Sequence, residues 1–319
     1  EMASTWLSGD KVKDITYLTW DANDPWVEDA YYRIYQNIAY CNEFLRNATD
    51  DKISGFSEAD QTKIKNYRAE ARFLRALCYY HAMDLFRNIP FVTEKDEVGA
   101  FTPPRYTAQQ IFEYVESELK DIETSLPDRT SVEYGHASQA AAWALLAKMY
   151  LNSSVYTGTE HYTDCITYCN KIINAGYSLN SEYSKLFNAD NQKRTNEIIF
   201  AFNIDGTSTV SWGATTYLVC GEVGNSSDYM KPADYGVTNG WGMFRVRGEL
   251  PALFSDGDSR AMFFTKGQTQ YLNTAIDDQT NGYFATKWSN LNDAGEAASN
   301  TATGGASIDF PVLDRKSVV

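Results

Sequence analysis

The sequence has little histidine, cysteine or proline, few basic residues and no long apolar run. Its 319 residues include only 3 His, 5 Cys and 8 Pro. A membrane-spanning helix needs about 18 or more consecutive apolar residues, and the sequence contains no such stretch. Lys and Arg number 28 against 42 Asp and Glu, which gives a net charge of −14. This balance argues against a nucleic-acid or anionic-membrane surface, because both need clustered cations.

The cysteines and histidines suggest neither a disulfide framework nor a metal site. An odd number of cysteines at irregular spacing is not typical of a disulfide scaffold. We therefore expect plain buried thiols at all five positions: Cys41, Cys78, Cys165, Cys169 and Cys220. No metal-ligand spacing joins the histidines, which are His81, His136 and His161. We expect no cofactor and no metal.

Aromatic residues are abundant, with 22 Tyr, 16 Phe and 7 Trp. Many of them lie in stretches rich in Gly, Ser and Asn, where no core periodicity is visible. Large rings with polar tips can pack beneath loops. Alternatively, they can form a surface on which flat ligands stack. Both interpretations remain open from composition alone.

The first half of the chain has the periodicity of successive helices. Apolar residues recur at steps of three and four in five segments: 28–47, 58–88, 107–125, 138–152 and 161–175. Paired helices in units of mid-thirties to mid-forties residues are typical of tetratricopeptide-like arrays. The sequence therefore predicts a mainly α fold, with helical hairpin repeats over residues 28–176.

The pattern changes after Tyr177. A short strand is predicted at 197–202, and residues 203–300 are rich in Gly, Ser, Thr, Asn and aromatics. Helical periodicity there is weak, except near 249–255. We expect residues 177–312 to form a loop-rich, ligand-facing part with short strands, within a single domain over residues 1–312.

Several motifs, in order, resemble the SusD/RagB family. The segment YRAEARFLRALCYYHAMDLF at 67–86, followed by Ile-Pro-Phe-Val at 89–92, is similar to the family's signature helix and turn. Further similar segments follow in the family's order: the helix 141–151, the strand 196–200, the run from Asn239 to Arg260, and Phe-Pro-Val at 310–312. The resemblance covers about residues 10–312.

The resemblance implies a function as well as a fold. Members of the family are non-catalytic lipoproteins on the outer face of the outer membrane, where they bind glycans and work with a TonB-dependent transporter of the SusC type. Membrane association would occur only through a lipid anchor. In such proteins the acidic and basic residues of the signature helix are structural, and Glu70, Arg72 and Arg75 occupy those positions here.

Both ends of the sequence suggest a fragment. The resemblance places the anchoring cysteine before Glu1, and a further helical repeat normally follows the Phe-Pro-Val motif. The last six residues, Asp-Arg-Lys-Ser-Val-Val, match the translation of the start of a common short-read sequencing adapter. We expect residues 313–319 to be library read-through.

The turn before the first helix pair is a candidate glycan site. Trp20 could stack on the apolar face of a sugar, while the amide of Asn23 could exchange hydrogen bonds with its hydroxyls. The starch-binding member of the family is similar in using a loop Trp followed three positions later by Asn. Alternatively, Trp20 packs, and Asn23 or Asp24 caps the helix.

Two further rings are candidates in the loop-rich part. Tyr217 and Trp241 fall where the starch-binding relative places its other stacking rings. Trp241 lies between Gly240 and Gly242, so its neighbours have no side chains to cover it. The alternative is a hydrophobic plug beneath loops. Weaker candidates are Trp212, Trp26 and Tyr229.

The leading functional hypothesis is a non-catalytic glycan-binding protein, with starch or another α-glucan as the first ligand to test. A glycoside hydrolase is one alternative, which requires two carboxylates about 5–10 Å apart across a cleft. A protein–protein scaffold is the other, since tetratricopeptide-like arrays commonly serve that purpose.

Overall fold

A computed structural model describes residues 12–99, 101–225, 229–272 and 278–318. The chain divides into two compact units. The helical unit comprises residues 27–179 and 313–319, and the loop unit comprises residues 1–26 and 180–312. The fold is mainly α with a few short strands, as the sequence predicts.

Within the described ranges, the α-helices are α1 Val12–Tyr17, α2 Pro25–Asn47, α3 Asp50–Ile53, α4 Glu58–Phe86, α5 Ala108–Ile122, α6 Gln139–Leu151, α7 Ser153–Thr157, α8 Tyr162–Asn174 and α9 Ala214–Gly221. The strands are β1 Ile89–Pro90, β2 Arg105–Tyr106, β3 Ile198–Phe202, β4 Phe263–Phe264, β5 Phe284–Ala285 and β6 Phe310–Asp314. They form three two-stranded pairs, β1 with β2, β3 with β6, and β4 with β5.

Helices α4, α5 and α6 begin at polar caps. Ser57 accepts a hydrogen bond from the backbone of Asp60, and Ser138 does the same from Ala141. Thr107 and Gln110 form a reciprocal capping box at the start of α5. Because such side chains satisfy backbone N–H groups that have no partner within the helix, they fix where each helix begins.

The helical unit is built from packed helix pairs. α4 packs against α5, α6 packs against α8, and α5 also contacts α6 and α7. α6 is rich in alanine, which allows its neighbours to approach on several sides. Many apolar positions of these helices are buried, among them Ile38, Phe73, Ile111, Val115, Leu119, Leu145, Leu146, Met149 and Ile172. Tyr67 and Leu85, at the two ends of the apolar stripe on α4, are exposed instead.

A buried guanidinium joins α4 to α5 and to α2. Arg75 is only 2% exposed. It forms ion pairs with Glu94 and, at 3.0 Å, with Glu118, and it donates to the side-chain oxygen of Asn42 at 2.7 Å. Arg72 also binds Glu118 with two hydrogen bonds of 2.7 and 3.0 Å. Burial alone would raise the pKa of Glu118, but hydrogen bonds and charge from Arg72 and Arg75 hold that pKa below its ordinary value.

Glu70 stabilises a loop rather than a helix pair. Its carboxylate lies 2.9 Å from Nδ1 of His136 and accepts a 2.8 Å hydrogen bond from the backbone of Ala137, immediately before α6. The contacts of Glu70, Arg72 and Arg75 agree with the structural role that the family resemblance implies for the signature helix.

In the described ranges of the loop unit, two α-helices, α1 and α9, were not predicted by the sequence analysis. Residues 203–300 show weak helical periodicity, yet α9 runs from Ala214 to Gly221. It is eight residues long, follows Gly213 and contains two threonines and a valine, which have modest helix propensity. Tertiary contacts, rather than an apolar stripe in its own sequence, bury this helix, so local periodicity does not predict it.

The expectation of buried cysteines is met at only two positions. All five cysteines lie in described ranges and are free, but only Cys41 and Cys220 are buried, while Cys78, Cys165 and Cys169 are partly exposed. Burial raises the pKa of the Cys220 thiol to about 11 and that of Cys78 to about 12. In the described part of the chain, no helix combines the length and apolarity needed to cross a membrane.

The Arg75 contacts predict a strong dependence of stability on this one side chain. Arg75→Met removes a cation from two partly buried carboxylates, of which Glu118 keeps Arg72 as a partner, and we expect the free energy of unfolding to fall by about 3 kcal/mol. Urea unfolding followed by circular dichroism at a helical wavelength measures this change.

Arg68→Met is the matched control on the same helix. Arg68 pairs with Asp50, which is largely exposed, and exposed pairs contribute roughly 0–1 kcal/mol. Equal unfolding midpoints for the two variants would contradict the role assigned to Arg75.

Candidate functional site

The candidate site is built on the end of α9 and the loop that follows it at residues 239–244. Backbone hydrogen bonds join the two segments. Trp241 donates to the carbonyl of Cys220 at 2.8 Å, and both Met243 and Phe244 donate to the carbonyl of Gly221, at 2.8 and 2.9 Å. The backbone around Trp241 is therefore fixed by the helix end.

Two glycines make this close packing possible. A Cβ at Gly240 would lie 2.3 Å from the carbonyl oxygen of Val223, and a Cβ at Gly221 would lie 2.3 Å from a ring carbon of Phe244. Neither distance is compatible with a real side chain. The glycines therefore allow the loop to lie directly on the helix end, which sets the position of the neighbouring rings.

Four rings form a contiguous group, which we name the ring cluster: Trp212, Tyr217, Trp241 and Phe244. The ring centroid of Trp241 lies 6.2 Å from that of Tyr217 and 6.2 Å from that of Trp212. Tyr217 also meets Phe244 edge-on at 5.0 Å. These spacings and tilts are typical of interacting aromatic pairs.

The ring cluster has a buried base and an exposed edge. Tyr217, Trp241 and Phe244 are partly buried and pack against the fully buried Met243. Burial also raises the pKa of Tyr217 above its ordinary value. Trp212, by contrast, is 58% exposed. Tyr217 and Phe244 thus serve mainly as packing, whereas Trp212 presents a surface on which a ligand could stack, and the partly buried Trp241 lies between them.

Trp20 and Asn23 lie at the turn before α2, in the same unit. Trp20 is 49% exposed, and Asn23 is exposed as well. The capping role belongs to Asp24, whose side chain accepts a 2.9 Å hydrogen bond from the backbone of Trp26. Among the described residues, no ring contact joins Trp20 to the ring cluster. A binding role for Trp20 and Asn23 stays a prediction.

The structure brings together Tyr217 and Trp241 and adds Trp212, a weaker candidate from the sequence. The two other weak candidates lie apart from these contacts. Trp26 is part of the first turn of α2. Tyr229 is exposed, with the amino group of Lys266 5.0 Å from its ring centroid. Phe244 was not identified from the sequence, because no periodicity marks its loop.

Glu222 is a buried acid directly after α9. It is 7% exposed, and its carboxylate accepts a 2.8 Å hydrogen bond from the backbone of Trp288. Burial raises the pKa of Glu222 to about 8, and that hydrogen bond and the charge of Lys287 offset the effect only in part. The carboxyl group is therefore mainly protonated at neutral pH. No group of three or more potential metal ligands occurs in the described ranges.

Glu222 predicts a pH-dependent stability. In the unfolded chain its pKa returns to about 4.5, so its stabilising contribution is full below that pH and is lost as pH rises through about 8. Through this group, the free energy of unfolding changes by at most about 1.4 kcal/mol per pH unit. Between pH 5 and 8, the midpoint of thermal unfolding should fall less steeply with pH for Glu222→Gln than for the wild type.

Glu249→Gln is the control, because Glu249 is an exposed acid of the same unit. This variant should leave the pH dependence of the midpoint unchanged. An unchanged pH dependence in Glu222→Gln as well would contradict the role assigned to Glu222.

Comparison with known proteins identifies relatives across most of the chain. A SusD-like family model, described as starch-binding and associating with the outer membrane, matches residues 3–151. The starch-binding protein SusD of Bacteroides thetaiotaomicron is 33% identical over 252 residues, which cover 78% of this chain and 43% of that protein. The chain thus spans less than half the length of this curated relative.

Solved structures share the fold. A SusD superfamily protein from Parabacteroides distasonis superposes with a TM-score of 0.75 at 23% identity, over 99% of this chain and 66% of that one. A laminarin-binding SusD-like protein also superposes with a TM-score of 0.75, at 20% identity, over 99% of this chain and 70% of that one. With the family model and the curated relative, these matches show that the chain belongs to the SusD-like family.

Proposed function

We propose that this chain is the glycan-binding portion of a non-catalytic cell-surface protein, and that it captures oligosaccharides or polysaccharides. The observation that carries the proposal is the ring cluster, in which Trp212 is 58% exposed beside Trp241 and Tyr217. Exposed rings stack on the apolar faces of flat ligands, and a loop unit held by backbone hydrogen bonds keeps them in place.

Starch or another α-glucan is the ligand we propose to test first. This choice is supported by the relative named as starch-binding, which is 33% identical. More distant structures are named for laminarin and for a xylogluco-oligosaccharide. Because those structures are at most 21% identical to the chain, they share its fold without indicating its ligand.

A binding role is favoured over hydrolysis by the setting of Glu222. A raised pKa is common in catalytic acids. Here, however, the carboxyl group is buried and engaged by the backbone of Trp288, so it is not presented to a ligand. A retaining or inverting hydrolase needs two carboxyl groups facing the same cleft.

Ring-to-alanine variants test the proposal. Stacking on an aromatic ring contributes about 1–3 kcal/mol for nucleobases, and we expect the lower end for sugars. Trp212→Ala and Trp241→Ala should each weaken binding of maltoheptaose by roughly five- to tenfold in isothermal titration, and Trp20→Ala extends the test to the turn before α2.

Tyr32→Ala is the control, since this exposed tyrosine lies on α2 away from the proposed rings in sequence. Laminarihexaose, xyloglucan and mannan oligosaccharides complete the panel. Failure of the wild type to bind any of these glycans would overturn the proposal, and release of reducing ends by the purified protein would favour the hydrolase.

The proposal extends to a partner and a location. We propose that the protein delivers glycan to a SusC-like TonB-dependent transporter, and that a lipid anchor holds it on the outer face of the outer membrane. The family model's description, which associates its members with the outer membrane, supports this. Co-purification of a tagged full-length protein with a transporter of this class is the expected result, and recovery of the protein without any such transporter would contradict it.

A further inference from the structure

Three side-chain amides form a hydrogen-bonded group in the loop unit, which we name the amide group: Asn225, Asn239 and Gln279. The side-chain NH2 of Asn225 donates to the side-chain oxygen of Asn239 at 3.1 Å. The backbone N–H of Asn225 donates to the side-chain oxygen of Gln279 at 2.9 Å, and the NH2 of Gln279 approaches the side-chain oxygen of Asn225 at 3.4 Å. Asn225 therefore holds the other two amides in fixed orientations.

The amide group lies directly beside Trp241. Asn239 lies two residues before Trp241 in the same loop. On the other side, the backbone of Gly242 lies against Gln279, since a Cβ there would be 2.2 Å from the Gln279 side-chain nitrogen. Gly242 also has a φ of +62°, a conformation that favours glycine. Asn239 and Gln279 therefore both lie close to the backbone that carries Trp241.

The amides have donor and acceptor capacity suited to sugar hydroxyls. A carboxamide can donate and accept at once, as a hydroxyl can, so adjacent hydroxyls match a pair of amides. Asn239 is exposed, and within the described ranges its NH2 group has no hydrogen-bond acceptor. Because the amides are held before the ligand arrives, little side-chain entropy remains to be lost on binding.

The charges around the amide group disfavour an acidic ligand. Arg245 donates to the carbonyl of Gly242 at 2.8 Å, but it is only 2% exposed and so is not presented at the surface. The adjacent Asp278 is exposed, and hydrogen bonds from Thr280 hold the pKa of its carboxyl group below the ordinary value. An anionic sugar would meet this carboxylate without an accessible cation from Arg245.

We propose that Asn239 and Gln279, positioned by Asn225, read the hydroxyl pattern of a neutral glycan stacked on Trp241. The inference rests on the proposed glycan-binding function and adds to it the class of ligand and the residues that determine specificity. The rings supply affinity that depends little on the identity of the sugar, because they contact the apolar faces that many sugars share. The amides distinguish one hydroxyl arrangement from another.

The test uses two variants that remove hydrogen bonding with little change of shape or fold. Gln279→Met keeps the length of the side chain that lies on Gly242, and Asn239→Ala removes only an exposed group. Gln109→Ala, at an exposed amide on α5, is the control. Titrations use the member of the glycan panel that binds most tightly, a set of its monodeoxy analogues, and a form oxidised to the carboxylate at C6.

The expected result is a loss of discrimination rather than of binding alone. The wild type should bind the neutral glycan about tenfold more tightly than the oxidised form. It should bind at least one deoxy analogue about tenfold more weakly than the parent glycan. Asn239→Ala or Gln279→Met should bind the neutral glycan about three- to tenfold more weakly than the wild type does, and should bind that deoxy analogue no more weakly than the neutral glycan. Trp212→Ala should weaken the binding of every ligand while leaving the ratios between their affinities unchanged.

The outcomes separate this inference from the function on which it rests. If the ring variants weaken binding but Asn239→Ala and Gln279→Met bind and discriminate as the wild type does, the inference is wrong and glycan binding stands. If the wild type binds no glycan, both are wrong. Since Asn239 is exposed, its truncation should leave the thermal midpoint unchanged, so this variant decides the question even if Gln279→Met fails to fold.

Discussion

The packing of the helical unit depends on a single buried positive charge. A guanidinium removed from water costs several kcal/mol unless its donors are paired. Arg75 therefore constrains three chain segments at once, through Asn42, Glu94 and Glu118, which lie 33, 19 and 43 residues away along the chain. An error in the placement of any one segment would remove at least one of these hydrogen bonds from the buried guanidinium. The capped helices and their apolar stripes provide the bulk of the packing, while this network selects one arrangement of it.

The loop unit is constrained by close backbone approach instead. Gly221, Gly240 and Gly242 each lie where a Cβ would be 2.2 or 2.3 Å from another atom. Larger residues at Gly221 or Gly240 would push the loop at 239–244 away from the end of α9, and one at Gly242 would displace the side chain of Gln279. Because the rings of Trp241 and Tyr217 project from these two segments, the glycines position the candidate site although they supply no binding group themselves.

Much of the fold was accessible from the sequence because its determinants are local. The predicted helices at 58–88, 107–125 and 138–152 differ from α4, α5 and α6 by no more than three residues at either end, because caps and apolar periodicity depend on a few neighbouring residues. Helix α9 was missed, because its eight residues follow glycine and gain their burial from distant parts of the chain.

The candidate site was only partly accessible from the sequence, for the same physical reason. Tyr217 and Trp241 stand out as rings in glycine-rich surroundings, and the family resemblance placed them in the binding region. The amide group could not be predicted, because Asn225 and Gln279 are 54 residues apart and neither is unusual in a loop of that composition. Its identification required the fold.

The division between rings and amides explains how one fold could serve several ligands. Ring faces contact the apolar surfaces that most sugars share, so the ring cluster alone would bind without much discrimination. Hydrogen bonds to specific hydroxyls depend on the direction of each donor and acceptor, and those directions are set here by loop residues such as Asn225 and Gln279. Loops tolerate substitution more readily than the helical unit, where Arg75 needs every partner in place. Changes in the polar loop residues could thus alter specificity while the rings and the helical unit remain unchanged.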